Sequence, residues 1–156
     1  MSKSLNRVKR HAADMDFDIQ IREMSVDTHT AQQAADALGC RVGQITKSII
    51  FLGNTSGKAI LFLTSGINQV CPDKAAVLAQ EPIGKADADL IRSQTGFAIG
   101  GVAPIGHKNP IRCFVDPHLQ TYETLWAAAG TPRHLFPISP TDLCRFTDAI
   151  IGDFTR

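Results

Sequence analysis

One lysine within an apolar stretch is the residue of this chain best suited to chemistry. Lys47 lies in residues 44–51, a run rich in β-branched and aromatic side chains that ends at Gly53-Asn54 and predicts a β-strand. Because side chains on a strand alternate between its faces, Lys47 shares a face with Ile45 and Ile49. Desolvating an unpaired ammonium costs on the order of several kcal/mol. Lys47 is therefore either a lysine at a strand edge with its ammonium in water, or a catalytic or ligand-binding residue at the mouth of a pocket.

The glycine-rich segment at residues 96–106 is the second candidate. It is too rich in glycine for regular structure, and it is too apolar for a solvated linker. The adjacent Gly100 and Gly101 allow positive φ angles and close approach of the backbone to another group. The segment is either a tight turn packed on a sheet or a loop whose backbone N–H groups face an anion or a polarised carbonyl. Its spacing matches neither the dinucleotide-binding nor the P-loop fingerprint.

The composition indicates one soluble globular domain that spans residues 1–156. Apolar residues make up 44% of the chain and charged residues 20%, which is ordinary for such a domain. The 16 Lys and Arg residues nearly balance the 15 Asp and Glu residues, so a polyanionic partner would have to meet a local patch. No apolar run approaches the roughly 20 residues of a membrane helix, and no apolar signal core follows the basic N-terminus. We expect a cytoplasmic protein with no membrane partner.

The four cysteines predict neither a zinc site nor a disulfide framework. They lie far apart in the sequence, without a C-x-x-C pair or a neighbouring histidine cluster, so we expect no metal site. An intracellular chain of this size needs no disulfides, and buried or half-buried free thiols are expected instead. None has a recognisable activating environment for a nucleophile. The cysteines are Cys40, Cys71, Cys113 and Cys144.

Helices are predicted on either side of both candidate segments. The first, at residues 2–15, presents Lys3, Arg7 and Arg10 as a basic stripe, which is either a solvated face or a phosphate-binding face. The last begins at Ser139 and is expected to direct Ile150 inward. The other helices are predicted from their capping residues at residues 30–38, 72–79 and 87–94.

Strands account for most of the remaining chain. The strand of Lys47 and residues 58–64 are predicted to form an antiparallel hairpin with a longer connection. Residues 82–84 are predicted to end one helix before the next begins. Further strands are predicted at residues 17–24, 69–70, 111–116, 125–129 and 134–138. The sum is one α/β domain with a mixed, largely antiparallel sheet of about six strands, flanked by about five helices.

Three segments, taken in order, resemble the YbaK/EbsC-type aminoacyl-tRNA editing family. They are Gln44-Ile-Thr-Lys47-Ser48, then Gly100-Gly101-Val-Ala-Pro104-Ile-Gly106, and then Ala129-Gly130-Thr-Pro-Arg133 before the helix that begins Ser139-Pro140. The family includes free-standing trans-editing deacylases and the editing insertion of bacterial prolyl-tRNA synthetases. The resemblance covers nearly the whole chain, and the loop of residues 95–104 is among its most specific parts.

The resemblance implies a bent, barrel-like mixed sheet and hydrolysis of the ester that joins a wrong amino acid to its tRNA. Lys47 would be the central catalytic residue, contacting the ribose, the phosphate or the carbonyl oxygen as an ammonium. Gly100 and Gly101 would direct backbone N–H groups toward the substrate carbonyl. Family members use no metal or other cofactor, and the terminal ribose hydroxyl helps to position the attacking water. The implied substrate-binding residues are Thr46, Ser48, Ile49, Val102, Ala103, Pro104, Gly106, His107 and His134.

Two departures from the family leave the removed amino acid open. Members that edit alanine on proline tRNA commonly carry Asn directly after the lysine, where this chain has Ser48. Cysteine-editing members carry Gly-Gly and an acidic residue near the last strand, where this chain has His134-Leu-Phe-Pro-Ile. Ala, Cys, Ser and Thr all remain candidates, on tRNA-Pro or a related tRNA, because one methylene gives only about 1–3 kcal/mol of discrimination. His107 and His134 are each either an ordinary surface or core histidine or a group that positions substrate or water.

Aminoacyl-tRNA, bound by its acceptor end, is the implied partner, and a prolyl-tRNA synthetase is a further candidate. Two other functions stay open: a non-catalytic module that binds aminoacyl-tRNA or a nucleotide, and a regulatory partner of a synthetase. The intact Lys47 and the intact loop of residues 100–104 favour the enzyme. The candidate tRNA-binding residues are Lys3, Arg7 and Arg10 on the first helix, with Lys108, Arg112 and Arg133 expected nearer the pocket.

Overall fold

The computed structural model describes residues 2–156. Within them, five α-helices and eight β-strands form one mixed α/β domain. The helices are α1 (Lys3–Asp14), α2 (Ala31–Leu38), α3 (Pro72–Ala79), α4 (Ala88–Thr95) and α5 (Pro140–Thr147). The strands are β1 (Arg22–Glu23), β2 (Ile45–Gly53), β3 (Ala59–Ser65), β4 (Ile83–Lys85), β5 (Arg112–Val115), β6 (Leu125–Thr131), β7 (His134–Ile138) and β8 (Ile150–Ile151). Short 3₁₀-helices at Val42–Gln44 and Pro117–Thr121 precede β2 and follow β5.

The helices begin at the capping residues that the sequence indicates. Ser2 Oγ accepts a hydrogen bond from Leu5 N at 3.2 Å at the start of α1. Thr30 and Gln33 form a capping box at α2, and Gly39, with a φ of 71°, ends that helix in the left-handed conformation. Each bond satisfies a backbone group that has no partner inside the helix. The five predicted helices are therefore confirmed.

The strands form one sheet in the order β1-β7-β6-β2-β3-β5-β8, and β4 pairs with β2 beside this path. Four pairings are antiparallel and three are parallel, so the mixed sheet expected from the sequence is confirmed. β2 and β3 form the predicted antiparallel hairpin, in which Lys47 lies opposite Thr64. β3 is buried along its whole length because β2 and β5 flank it in the sheet and apolar clusters cover both of its faces.

Three apolar clusters hold the helices against the sheet. In the largest, α1 and the 96–106 segment pack on one face, with Val8 and Phe97 fully buried. On the other face, α3 covers Phe62 of β3. α2 contributes Ala34 and Ala35 to the third cluster, and these small side chains let it lie close to the strands. None of the helices in residues 2–156 is both long enough and apolar enough to cross a membrane.

Three short segments differ from the prediction. Residues 69–70, predicted as a strand, contribute an isolated bridge between Val70 and Thr155 instead. Residues 82–84 were predicted to form a break between two helices, but Ile83–Lys85 form β4 because their backbone pairs with the end of β2. The inward position expected for Ile150 on the last helix is wrong. Asp148, with a φ of 55°, ends α5, and Ile150 then pairs with Phe114 at the edge of the sheet and is 60% exposed. All three pairings join residues distant in the sequence, which a local pattern does not report.

Candidate active site

The partner of β2 changes partway along one of its sides. β3 pairs with β2 almost from end to end. On the other side, β6 pairs with Ile45 and Thr46, and β4 pairs with Phe51–Gly53. In the part of the chain that the structure describes, no strand pairs with residues 47–50 on that side. The sheet therefore has an open backbone edge where Lys47 lies.

The open edge presents the main-chain groups of Ser48 and Ile50. Gly53 N donates to Lys58 O at 2.9 Å on the β3 side, so the odd-numbered residues of β2 direct their backbone groups toward β3. Because successive residues of a strand direct these groups to opposite sides, Ser48 and Ile50 direct theirs toward the open side. Backbone N–H and C=O groups require partners when they are buried. A substrate placed at this edge can therefore be held by the main chain.

A pocket of about 600 Å³ lies at this edge. Its walls come from β2, the N-terminal end of α2, the 96–106 segment and the β6–β7 hairpin. This volume is in the range of small-molecule sites. The predicted site residues that line it are Thr46, Lys47, Ser48, Ile49, Gly100 and Val102.

Lys47 is half-buried in the wall of this pocket. Its Nζ donates to the main-chain oxygen of Asn68 at 2.5 Å. Burial lowers the pKa of the Lys47 ammonium below its ordinary value of 10.5, and the negative charge of Asp116 opposes that shift. A lysine ammonium carries three donor hydrogens, so the bond to Asn68 leaves others for a ligand. This position suits a residue that binds an anionic or carbonyl oxygen, and the catalytic role of Lys47 stays a prediction.

Two hydroxyl groups beside Lys47 lack partners. Among the residues that the structure describes, the oxygens of Thr46 and Ser48 are buried and make no hydrogen bond. Both residues line the pocket. A buried polar group without a partner destabilises a protein by about 1–3 kcal/mol. Because Thr46 and Ser48 line the pocket, rotation about χ1 would turn either hydroxyl toward a polar group of a ligand.

The 96–106 segment is fixed against β6 at Gly101. A Cβ at this position would lie 2.9 Å from Thr131 Cα and 3.0 Å from Gly130 O, so only glycine fits without movement of the backbone. Gly101 is buried behind the pocket wall, whereas Gly100, with a φ of 91°, faces the pocket. The first of the two predicted alternatives, a tight turn, is confirmed, and the N–H of Gly101 donates within it to Ala98 O at 3.1 Å, so it is not free for a substrate carbonyl. The role predicted for the N–H of Gly100 stays a prediction.

Arg7 holds the two ends of the segment together. Its Nε donates to Gly106 O at 2.8 Å and its Nη2 donates to Gly96 O at 2.6 Å. Its guanidinium also lies 4.8 Å from the centre of the Phe97 ring. These contacts make Arg7 a structural residue that connects α1 to the pocket wall. The position does not favour the tRNA contact expected for it, because its donors already serve the fold.

His107 lies away from the pocket of Lys47. Its Nε2 is 2.8 Å from Ala103 O, and burial lowers its pKa from 6.5 to about 4. It lines a separate cleft of about 410 Å³ together with Pro104 and Lys108. Ala103 is buried in the core behind the segment. These residues therefore do not form the substrate-binding set expected with Lys47, because the backbone turns away from the pocket after Val102.

Gly106 and His134 are also separate from the pocket lining. Gly106, with a φ of 82°, approaches α1 closely, and a Cβ there would lie 3.2 Å from Val8 Cα. His134 Nδ1 is 2.6 Å from Thr131 Oγ1 at the turn between β6 and β7. The next residue, Leu135, does line the pocket. The substrate-binding roles of Gly106 and His134 stay predictions, and neither position brings the residue beside Lys47.

Of the remaining predicted tRNA-binding residues, three have exposed side chains without a role in the fold described above, and two are bonded to other residues of the chain. Lys3, Arg10 and Lys108 are exposed, and Lys108 borders the second cleft rather than the pocket of Lys47. Arg112 is bonded to Ala79 O and forms an ion pair with Glu81, away from the pocket. Arg133 is nearer the rim, where its Nε donates to Asp27 Oδ1 at 2.7 Å. Lys108, Arg112 and Arg133 were all expected near the pocket. None of them lines it, and of the three only Arg133 is bonded to the residue that precedes Thr28 of the rim.

Several pocket residues were not identified from the sequence. Residues 28–32, at the N-terminal end of α2, form one rim, and the exposed His29 lies among them. Trp126 and Ala128 of β6 line the floor, and Ile99 is 63% exposed at the mouth. Trp126 lies between the buried Leu125 and Ala127, so the alternation of side chains along a strand indicates that Trp126 occupies the opposite face of β6. No local signal indicates that this face meets α2.

Comparisons with known proteins agree with this geometry. The model of the aminoacyl-tRNA editing domain family matches residues 25–146. A crystal structure described as that of a proposed trans-editing enzyme for prolyl tRNA synthetase is similar with a TM-score of 0.93 and 41% identity, covering 100% of this chain and 99% of that chain. YwhH of Bacillus subtilis is 25% identical over 144 residues, which are 92% of this chain and 91% of YwhH. The proline–tRNA ligase of Limosilactobacillus fermentum is 33% identical over 96 residues, which are 59% of this chain and 17% of the ligase.

The matched range contains the parts that build the pocket. Lys47, the open edge of β2, the 96–106 segment and the β6–β7 hairpin all lie within residues 25–146. The chain therefore belongs to the aminoacyl-tRNA editing domain family.

Proposed function

We propose that this protein is a trans-editing deacylase, which hydrolyses the ester between a mischarged small amino acid and tRNA-Pro or a related tRNA. The observation that carries the proposal is the position of Lys47. Lys47 lines a pocket between an open strand edge and the Gly100 turn, and its ammonium is bonded to Asn68 O. Family membership supports the same chemistry. Ala, Cys, Ser and Thr are the candidate amino acids.

Stabilisation of charge is the main contribution that these residues offer. An aminoacyl ester is already activated, so hydrolysis needs a positioned water and donors for the oxyanion that develops on the carbonyl oxygen. The Lys47 ammonium and the Ser48 N–H at the open edge provide such donors beside Gly100. The ester bond to the ribose oxygen then breaks, the amino acid leaves as its carboxylic acid, and the ribose oxygen takes a proton.

The pocket offers little for general-base catalysis. Of the residues that line it, His29 and Lys47 are the ones with ionisable side chains, and His29 is exposed at the rim. The Lys47 ammonium is a donor and cannot remove a proton from water. A hydroxyl of the terminal ribose can instead orient the attacking water, as the family resemblance implies. The substrate then supplies part of its own catalytic machinery.

Serine and threonine are favoured among the candidate amino acids. Thr46 and Ser48 line the pocket, and rotation about χ1 lets their unpaired hydroxyls bond to a side-chain hydroxyl of the substrate. A site that hydrogen-bonds a substrate hydroxyl discriminates well against an analogue that lacks it, because its own polar groups are then left unpaired. Alanine offers no such group. We therefore expect seryl- and threonyl-tRNA to be hydrolysed faster than alanyl-tRNA.

A deacylation panel tests the proposal. Ala-, Cys-, Ser- and Thr-charged tRNAs of several identities are incubated with the parent, with Lys47→Ala and with Lys58→Ala. Lys58 is an exposed lysine near the turn of the same hairpin, so it controls for the loss of a lysine. We expect hydrolysis by the parent and by Lys58→Ala, and a loss of about 10²- to 10³-fold in Lys47→Ala. If the parent bound aminoacyl-tRNA without hydrolysing it, the proposal that the protein is a deacylase would be refuted, and a non-catalytic binding module would be favoured.

A further inference from the structure

The oxygen that holds Lys47 belongs to a turn at the end of β3. Lys47 Nζ donates to Asn68 O at 2.5 Å. The turn begins at Ser65, the last residue of β3, and Asn68 N donates to Ser65 O at 2.9 Å. A turn of this kind lies at the protein surface, where loops are the most variable and mobile parts of a fold. The position of the ammonium therefore depends on what fixes this turn.

Asp116 fixes both ends of the turn. Its Oδ2 accepts from Ser65 N at 3.1 Å and from Asn68 Nδ2 at 2.9 Å. Its Oδ1 accepts from His118 N at 2.9 Å, and its own backbone N donates to Leu63 O at 2.9 Å. The carboxylate is 1% exposed. A buried carboxylate is tolerated when several donors surround it, and here those donors belong to the turn that carries Asn68.

We propose that Asp116 and Asn68 are positioning residues for Lys47, holding its ammonium in the pocket wall through the turn of residues 65–68. Neither residue lines the pocket, so both act through Lys47 and not on the substrate. This inference rests on the proposed function for its catalytic consequence. The bonds from Asn68 Nδ2 to Asp116 Oδ2 and from Lys47 Nζ to Asn68 O do not depend on that function.

The charge of Asp116 adds to this geometric role. It favours the protonated form of Lys47 and raises the pKa of the ammonium against the opposing effect of burial. His29, at the opposite rim, is the other titratable side chain that lines the pocket. An Asn at position 116 would remove the favourable charge. Its single carbonyl oxygen could keep the two bonds to the turn, and its NH2 group would then face the N–H of His118. Lys47 would then lose its proton at a lower pH.

Three variants test the inference. Asp116→Asn removes the charge with little change in shape, and Asn68→Ala removes the side-chain tether but leaves the bonds from Ser65 and His118 to Asp116. Asp87→Asn is the matched control, because Asp87 also accepts a backbone bond, from Leu90 N at 2.8 Å, at the start of α4. We expect kcat/KM for deacylation to fall at least about 10-fold in both test variants and to stay at the parent value in Asp87→Asn. In Asp116→Asn, the loss of activity at alkaline pH should also begin at a lower pH.

A double-mutant cycle separates positioning from general damage. If Asp116 and Asn68 act through Lys47, neither change should lower the residual kcat/KM further in a Lys47→Ala background. Equal losses in the parent and in the Lys47→Ala background would overturn the inference. Thermal denaturation identifies a variant that fails to fold, and Asn68→Ala, which keeps the buried carboxylate bonded, then carries the test.

An NMR titration of Lys47 distinguishes failure of the inference from failure of the proposed function. The ¹³Cε resonance of Lys47 reports its pKa whether or not the protein is a deacylase. We expect that pKa to be lower in Asp116→Asn than in the parent and unchanged in Asp87→Asn. An unchanged pKa in a folded Asp116→Asn would overturn the electrostatic part of the inference. Absence of deacylation in the parent would instead overturn the proposed function.

Discussion

A methyl group added at Gly101 tests how the 96–106 segment shapes the pocket. In Gly101→Ala the new Cβ would lie 2.9 Å from Thr131 Cα and 3.0 Å from Gly130 O. Both neighbours are backbone atoms of β6, so no side chain can rotate away. The segment itself has to move outward from β6. Gly100, the preceding residue of the chain, lines the pocket and moves with it.

The expected effects on stability and on catalysis differ in size. Overpacking of this kind typically destabilises a protein by about 1–3 kcal/mol. The melting temperature should fall by roughly 2–4 °C for each kcal/mol in a chain of this size. A displacement approaching 1 Å of groups that position a substrate can reduce the rate about 10²-fold. Activity should therefore fall much more than the folded fraction does.

Thermal denaturation and single-turnover deacylation measure the two effects on the same protein. Gly57→Ala is the matched control, because its Cβ would have nothing within 4 Å and only its φ of 71° opposes the change. That control should lose some stability, at most about 1–2 kcal/mol, and keep the parent rate. If Gly101→Ala kept the parent kcat/KM, the segment would not set the geometry of the site and the reasoning would be refuted.

Three further predictions concern residues around the pocket. Arg7→Ala should lower the melting temperature, because the bonds to Gly96 O and Gly106 O are lost. It should leave the salt dependence of tRNA binding unchanged. A weaker salt dependence in this variant would support the phosphate contact that was predicted for Arg7. Burial lowers the pKa of His107 from its ordinary value of 6.5 to about 4, so the unfolded chain binds the proton more readily than the folded one. The free energy of unfolding should therefore fall by up to about 3 kcal/mol as the pH drops from 6.5 to 4. His107→Gln should flatten that decline in a pH series of melting curves, and an equally steep decline would contradict the assignment. Ser48→Ala should reduce hydrolysis of Ser-tRNA relative to Ala-tRNA, and an unchanged ratio would show that the Ser48 hydroxyl does not contact the substrate.

Local patterns were sufficient to predict the helices and the strand of Lys47. Caps such as Thr30 with Gln33 act within one turn of the chain, so a short stretch of sequence contains the whole interaction. The alternation around Lys47 likewise defines β2 and its faces. The order of three segments that resemble the editing family predicted family membership as well. These parts of the prediction depend on residues close together in the sequence.

The composition of the pocket could not be predicted in the same way. The open edge at residues 47–50 exists because β6 and β4, which lie far from β2 in the sequence, pair with its two ends and leave the middle free. The N-terminal end of α2 and Trp126 reach the pocket through the same long-range arrangement. Arg7 was expected on a basic stripe that is either solvated or bound to phosphate, but it bonds to Gly96 and Gly106, which lie about 90 and 100 residues further along the chain. Such contacts depend on the assembled sheet and leave no local pattern.

The role of Lys47 is tested most directly by single-turnover hydrolysis of Ser-charged tRNA-Pro with the parent, Lys47→Ala and Lys58→Ala. All three proteins should be compared at equal folded fraction, which thermal denaturation establishes. If the ammonium in the pocket wall stabilises the developing oxyanion, the rate should fall about 10²- to 10³-fold in Lys47→Ala and stay at the parent value in Lys58→Ala. A Lys47→Ala protein that hydrolyses the ester as fast as the parent would contradict that role.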